Sequence, residues 1–250
     1  MKREMKKKKL LAILCAIPLI AYATNEVPLP KQGLQIVPLS AMSIPEDMKK
    51  DILKIAQEQK TKGYHETSDT RYQQSLFKIQ KRYRMKKEYA GKSTNLAVVP
   101  EDITLSDIKD HLSDIPLAFP FNNINWVDQD KIMGFVPQGG LIKDNNNPTG
   151  GWSGIKVLFS DDQLGACSYS YLNLKLSHGG VQLNTETTEY LVNKHPSTKI
   201  IEGNINDGFV YTINWDKEGE MHTLDCANMK FDKEITKKMI ALANKIDSAS

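Results

Sequence analysis

Apolar residues recur at every second position through much of 150–228, the spacing that lays side chains on one face of a β-strand. The clearest case is a hairpin formed by Gly208–Trp215 and Glu220–Cys226, turning over Asp216–Gly219. Phe209, Tyr211, Ile213 and Trp215 share one face. If Trp215 pairs with Glu220, Phe209 lies opposite Cys226, Tyr211 opposite Leu224 and Ile213 opposite His222. Upstream, Gly165–Leu176 also alternates, with Cys167, Tyr169 and Tyr171 on one side and Leu172, Leu174 and Leu176 on the other. The apolar side changes near Leu172, which predicts a bulge or bend there. Ile132–Val136, Ile155–Phe159 and Thr198–Glu202 are further strands. Ile115–Phe121 holds two prolines and belongs at an edge or across the surface. Gly139–Gly140, Asn145–Gly151, His178–Gly180 and Asn204–Gly208 are turn signals. Thr185–Val192 reads as a short helix closed before Pro196.

Elsewhere the period changes to three and four. Residues 45–62 place Met48, Ile52, Ile55 and Gln59 along one stripe, with Ser43 as cap, Pro45 in the first turn and Gly63 as the stop. Residues 66–90 repeat the pattern with Tyr72, Leu76, Ile79 and Tyr83, and Gly91 ends it. A short Gly-containing turn between the two suggests an antiparallel helical hairpin. Thr104–Leu112 is a short helix. Asp232–Lys245 is a final one, with Ile235, Met239, Leu242 and Ile246 as its buried stripe. The expected fold is α+β: an antiparallel sheet packed by the C-terminal helix and preceded by the helical hairpin. The expected division is a signal peptide at 1–23, a Pro-rich leader or linker at 24–44, the hairpin at 45–92 and a disulfide-stapled α+β domain at 101–250. Within the leader, Leu34–Val37 is an alternative edge strand.

The first 23 residues alter the charge argument. Lys and Arg before Lys9, an apolar run from Leu10 to Ile20 and Ala21-Tyr22-Ala23 form a secretory signal with cleavage near Ala23. The apolar run is shorter than the roughly 20 residues a spanning helix needs. Cys15 sits after Leu14, where a lipoprotein signal requires a small residue. The whole chain is +3, from 33 basic and 30 acidic side chains. The signal holds six of the bases and one acid, so the mature chain has 27 and 29 and is formally −2. A basic pI is therefore no argument for nucleic acid. Three cysteines become two, and in an oxidising compartment Cys167 and Cys226 are the natural pair. Destination is periplasmic or secreted, from a bacterial source.

The helix over 66–90 is basic: Arg71, Lys78, Lys81, Arg82, Arg84, Lys86 and Lys87 stand against Glu66, Asp69 and Glu88. It reads as a solvated face or as a site for an acidic partner, an anionic membrane surface or a glycan. Residues 101–131 carry seven acids against two lysines, a block able to pair with that helix within or between chains.

Other chemistry finds little footing. Cys167 or Cys226 with His178 or His222 would make a thiol–imidazole pair, but the disulfide uses both sulfurs, and His222 and Cys226 stand ~13 Å apart along one strand. The same four residues lack the close paired spacing of a structural zinc site. Asp128, Asp130 and Asp144–Asn147 fail the EF-hand pattern. Gly151–Gly154 misses a nucleophile elbow by one position. Tyr169, Tyr171, His178, Trp215 and His222 are the candidate lining of a small-ligand or haem pocket, on the inside of the sheet. No cofactor or metal is expected. The leading expectation is a non-catalytic module contacting envelope or host proteins. A small-ligand or haem binder is the alternative, and an exported hydrolase without a local motif stands behind it.

Overall fold

The computed structural model describes residues 33–88, 108–121, 124–143 and 150–249. The expected signal peptide, the start of the expected leader, the expected linker at 91–100, the first part of the expected Thr104–Leu112 helix and most of the expected turn at 145–151 lie outside the described residues. The fold is mixed α+β, a large sheet with a C-terminal helix on one face and a second long helix on the other.

Two antiparallel meanders make the sheet. The first is β3 (Ile132–Ile142), β4 (Gly151–Asp161) and β5 (Gly165–Asn173); the second is β8 (His195–Asn204), β9 (Gly208–Lys217) and β10 (Glu220–Asn228). They meet along β5 and β10, so the strand order runs β8-β9-β10-β5-β4-β3. At that seam Cys167 and Cys226 are register partners, and a disulfide joins them.

Alternation along these strands divides the sheet into two unlike faces. Cys167, Tyr169, Tyr171, Phe209, Tyr211, Ile213, Trp215, Leu224 and Cys226 enter the main core, where α3 (Lys233–Ala249) packs through Ile235, Met239, Ala243 and Ile246. Tyr211 fixes the approach to α3, its hydroxyl accepting the Asp232 N–H at 2.8 Å and donating to the Lys230 carbonyl at 2.9 Å. The Asp232 carboxylate then accepts the Glu234 N–H, satisfying one of the helix's open donors. The opposite face takes α2 (Arg71–Glu88), whose Leu76 and Ile79 pack with Met133, Leu158, Ala166 and Ala227.

α1 (Glu46–Lys62) lies toward the outer edge of β8, where its Gln59 amide donates to the Ile201 carbonyl at 2.6 Å. Gly63, at φ 88°, closes the helix in the left-handed region. β2 (His65–Glu66) then pairs in parallel with Glu202 and Gly203 of β8. The expected hairpin of helices is thus an α1–β2–α2 arm wrapped round the sheet edge, with α2 seated on β5, β9 and β10. Between the meanders the chain leaves the sheet. β6 (Gly180–Asn184) pairs in parallel with β1 (Gly33–Val37) in a separate two-stranded sheet, so Leu34–Val37 is a strand but not an edge of the large sheet, and β7 (Glu189–Val192) pairs with β8.

Several expectations are corrected. Thr185–Val192 is not a helix: the Asn184 side chain accepts the Thr187 N–H at 2.9 Å, forming a local turn, and Glu189 onward extends into β7. The β9–β10 register is two residues further along, His222 opposite Trp215 and Cys226 opposite Tyr211. The turn consists of Glu218 and Gly219, both at positive φ, so the strands run closer to the tip than a four-residue turn allows. An even slip preserves every face assignment. β5 shows no bulge at Leu172; the chain simply leaves the sheet after Asn173. Gly139 and Gly140 lie within β3 at an irregularity instead of forming a turn between strands. Around Lys109 the chain forms a bridge to Phe135 instead of continuing a helix to Leu112.

Candidate functional site

Four of the five residues proposed to line a pocket are brought together on the α3 face. Tyr169 and Tyr171 come from β5, Trp215 from β9 and His222 from β10. The His222 ring stacks on Trp215 at 4.8 Å and 7°. Its Nδ1 is 2.7 Å from the Tyr169 hydroxyl, and Tyr171 meets it edge-on at 5.3 Å. Phe119, from the segment crossing the surface, covers Tyr171 at 4.8 Å. All four residues are buried, and the rings pack against one another. Burial drives the His222 pKa down to about 3, with Lys217 and His195 acting in the same direction and Asp247 opposing them. The imidazole is therefore neutral, and its Nε2 has no hydrogen-bond partner. Burial, with Glu220 adding its charge, raises the Tyr171 phenol far above its ordinary range. His178 stands apart, exposed in the turn after β5 with φ 51°.

Sequence reasoning missed the carboxylate that organises the end of this layer. Asp247, only 3% exposed, accepts Trp215 Nε1 at 3.0 Å and Asn193 Nδ2 at 2.7 Å. His195 Nε2 is 3.5 Å away, and Lys217 Nζ donates to the Asp247 carbonyl. An acid beside a partly exposed imidazole has the composition of a general-base pair. Here both carboxylate oxygens are already engaged by Trp215 and Asn193, while the nearby Ser197 hydroxyl accepts the Leu191 N–H. The arrangement clasps α3 to β7, β8 and β9. One signal pointed to it: Asp247 falls four residues after Ala243, on the buried stripe of an otherwise amphipathic helix.

The opposite face is polar where α2 begins. Tyr72 and Thr212 donate to Asp225 at 2.7 Å each, and Ser168 donates to it at 3.4 Å. Glu202 lies on the same face of β8. Burial, reinforced by Asp225 and Asp69, pushes its pKa up to about 7. From this inner anchorage α2 turns its cations outward: Lys78, Lys81, Arg82 and Arg84 are exposed. The side chains of Lys86 and Lys87 lie outside the described residues. Arg84 and Lys131 lower the Asp162 pKa, with the Lys131 hydrogen bond the largest cause, and Tyr83 donates to the Asp130 carbonyl at 3.0 Å. The far half of α2 thus meets the 101–131 segment through Tyr83 and the Asp130 backbone, while the carboxylate beside Arg84 is Asp162, outside that acidic block.

Beside the near half is an apolar corner. A Cβ placed on Gly208 would lie 3.2 Å from Phe77 and 3.3 Å from the Met229 sulfur, so these residues meet there. Met229 is 52% exposed, and Ile205, on the same β8–β9 turn as Gly208, is 84% exposed. Lys78 and Lys81 follow Phe77 along α2, and Lys230 follows Met229, all three exposed.

Two clefts open elsewhere. One, of about 540 Å³, has Leu112, Ile124, Ile132 and Phe135 with Asp110, His111, Asn125 and Gln129 around it. The other, of about 210 Å³, lies between Trp126, Lys131, Phe159 and Lys245. Neither is lined by the aromatic stack. Among the described residues no three His, Cys, Asp or Glu side chains converge to hold a metal ion, and no helix is long and apolar enough to cross a membrane. No family model matches the chain, and neither the characterised proteins nor the solved structures searched include a similar one.

Proposed function

We propose that this chain is an exported, non-catalytic binding module that contacts a partner protein through the outer face of α2 and the apolar corner beside it. The single observation that carries the reading is adjacency: the half-exposed Met229 and the partly buried Phe77 both lie beside Gly208, three residues after the exposed Ile205, and the exposed Lys78, Lys81 and Arg82 follow Phe77 along α2. Such a surface complements an acidic segment carrying one or two apolar side chains. The cations speed encounter at low salt, and burial of the apolar corner supplies affinity that salt does not screen. The aromatic groups with richer chemistry are engaged with one another inside the core. Export rests on the leader sequence and agrees with a buried disulfide, a bond that persists outside the reducing cytosol.

The test uses the full mature chain and a synthetic peptide of alternating Glu and Leu. Binding is expected to weaken as salt rises from 50 to 300 mM, to fall at least tenfold in Lys78→Glu/Lys81→Glu/Arg82→Glu, and to fall separately in Ile205→Asp/Met229→Asp. Heparin and vesicles containing phosphatidylglycerol are run beside it. Equal or tighter binding to either would replace the protein partner with a glycan or a membrane. Indifference of peptide binding to both sets of substitutions would remove the surface from consideration.

A further inference from the structure

The α1–β2–α2 arm is anchored to the sheet by a tight set of polar contacts, and they surround one residue. Gln59 donates to the carbonyl of Ile201. His65 is the register partner of Glu202, and Glu66 that of Gly203. The Thr67 N–H donates to the Gly203 carbonyl at 3.2 Å, and Asn204 Nδ2 donates to the Thr67 carbonyl at 3.0 Å. Gln73 reaches the Gly208 carbonyl at 3.4 Å, and Tyr72 reaches Asp225. Glu202 sits in the middle. Among the described residues its carboxylate makes no hydrogen bond or ion pair, and the residue is only partly exposed where β2 pairs with β8.

We propose that Glu202 and Asp225 form a protonation latch for this arm, seated firmly when Glu202 carries a proton and loosened when both carboxyls are charged. The two lie on the same face of the sheet, on β8 and β10, with only β9 between them. Across β9 Glu202 is in register with Ala227, two residues along β10 from Asp225 on the same face, so with strands ~4.8 Å apart and ~3.4 Å per residue the two backbones are separated by ~12 Å. The groups around Asp225 are the neutral hydroxyls of Tyr72, Ser168 and Thr212. The remaining charged neighbours come from each packed element. From the arm, Asp69 is bonded to Arg71 at 2.6 Å. His65 pairs with Glu58 of α1 at 2.6 Å. Lys156 of β4 lies over the Tyr72 ring at 5.6 Å.

Thermodynamic linkage sets the direction. With the arm seated, the Glu202 pKa is raised to about 7 by burial, then by Asp225 and Asp69. With the arm lifted, the carboxyl is solvated and titrates near its ordinary 4.5. Seating therefore takes up a proton and weakens as pH rises from about 4.5 to about 7. A 10- to 100-fold change in the seating equilibrium is expected across that range. On the functional reading above, which this consequence rests on, α2 presents its cations most firmly in an acidic compartment.

The experiment is amide exchange on the intact mature chain from pH 5 to pH 8, corrected for intrinsic rates. Amides of β5 and β10 serve as the reference for global unfolding. Protection in α1 and the first half of α2 is expected to fall 10- to 100-fold with rising pH, relative to that reference. Glu202→Gln should hold protection high and flat. Asp225→Asn should move the midpoint to lower pH, because it removes the charge that raises Glu202. His65→Gln should leave the midpoint in place. A flat wild-type profile, an unchanged pH response in Glu202→Gln, or its loss in His65→Gln would each overturn the latch. Binding of the Glu–Leu peptide is scored separately at both pH values. Its absence alongside the expected exchange pattern would discard the contact surface and leave the latch standing.

Discussion

His222 carries two ring nitrogens into the core, and only Nδ1 meets a partner, the Tyr169 hydroxyl. Its pKa of about 3 against an ordinary 6.5 means that the folded chain binds fewer protons than the unfolded one below pH 6.5. The stability held by the neutral ring is complete above that pH. It is lost as pH falls toward 3, at about 1.4 kcal/mol per pH unit. The double replacement Tyr169→Phe/His222→Phe removes donor and acceptor together. It should change stability at pH 7 by less than about 1.5 kcal/mol and flatten the acid limb, read from urea midpoints between pH 4 and 8. A limb as steep as the wild type would clear His222. The period of two made Tyr169, Tyr171, Trp215 and His222 legible as neighbours. It could not say whether they surround a space or fill it, because that depends on Phe119 and α3 arriving from elsewhere in the chain.

Among the elements, the helices were legible where apolar stripes and a stop residue agreed. The stripe of α1 ends at Gln59 and the helix closes at Gly63; that of α2 carries Leu76 and Ile79 inward. What the local pattern missed was decided by side-chain bonds to backbone. Thr185–Val192 has a helix-compatible outline, yet Asn184 captures the Thr187 N–H first, and Asn193 and Lys194, both at positive φ, turn β7 back onto β8. The same Asn193 reaches Asp247, so this turn and α3 hold each other. Asp247→Ala leaves the Trp215 and Asn193 donors without their acceptor and should cost about 2–4 kcal/mol. Asp247→Asn keeps an oxygen for Trp215 while facing Asn193 with a second amide, and should cost about 1–2 kcal/mol. In both variants exchange protection should drop first at residues 240–249. Uniform loss across the sheet instead would mean that the carboxylate serves the core at large and not the helix clasp.

For the whole molecule, the decisive contact is the seam between the two meanders. Each meander is held by short connections between neighbouring strands, which local turn signals reveal. Nothing local indicates that β5 should pair with β10, whose bridged cysteines are 59 residues apart in sequence. Cysteine parity and the expectation of an oxidising destination were enough to pair Cys167 with Cys226, and the structure adds that they stand directly opposite each other across the seam. Covalently closing a segment of this length stabilises by about 4 kcal/mol through the unfolded chain. The seam is also held by the β5–β10 ladder and by the core on the α3 face, neither of which depends on the bond for its contacts. Cys167→Ala/Cys226→Ala should therefore still fold, with stability lower by about 2–5 kcal/mol and far-UV circular dichroism unchanged. Both sulfurs are fully buried, so a reductant acts only on molecules that have opened. In 10 mM dithiothreitol at 25 °C, alkylation of the native protein should follow its unfolding rate and accelerate steeply in sub-denaturing urea. Prompt reduction in the absence of urea would mean that the seam opens locally, and the two meanders would then be independent bodies joined by their bridge.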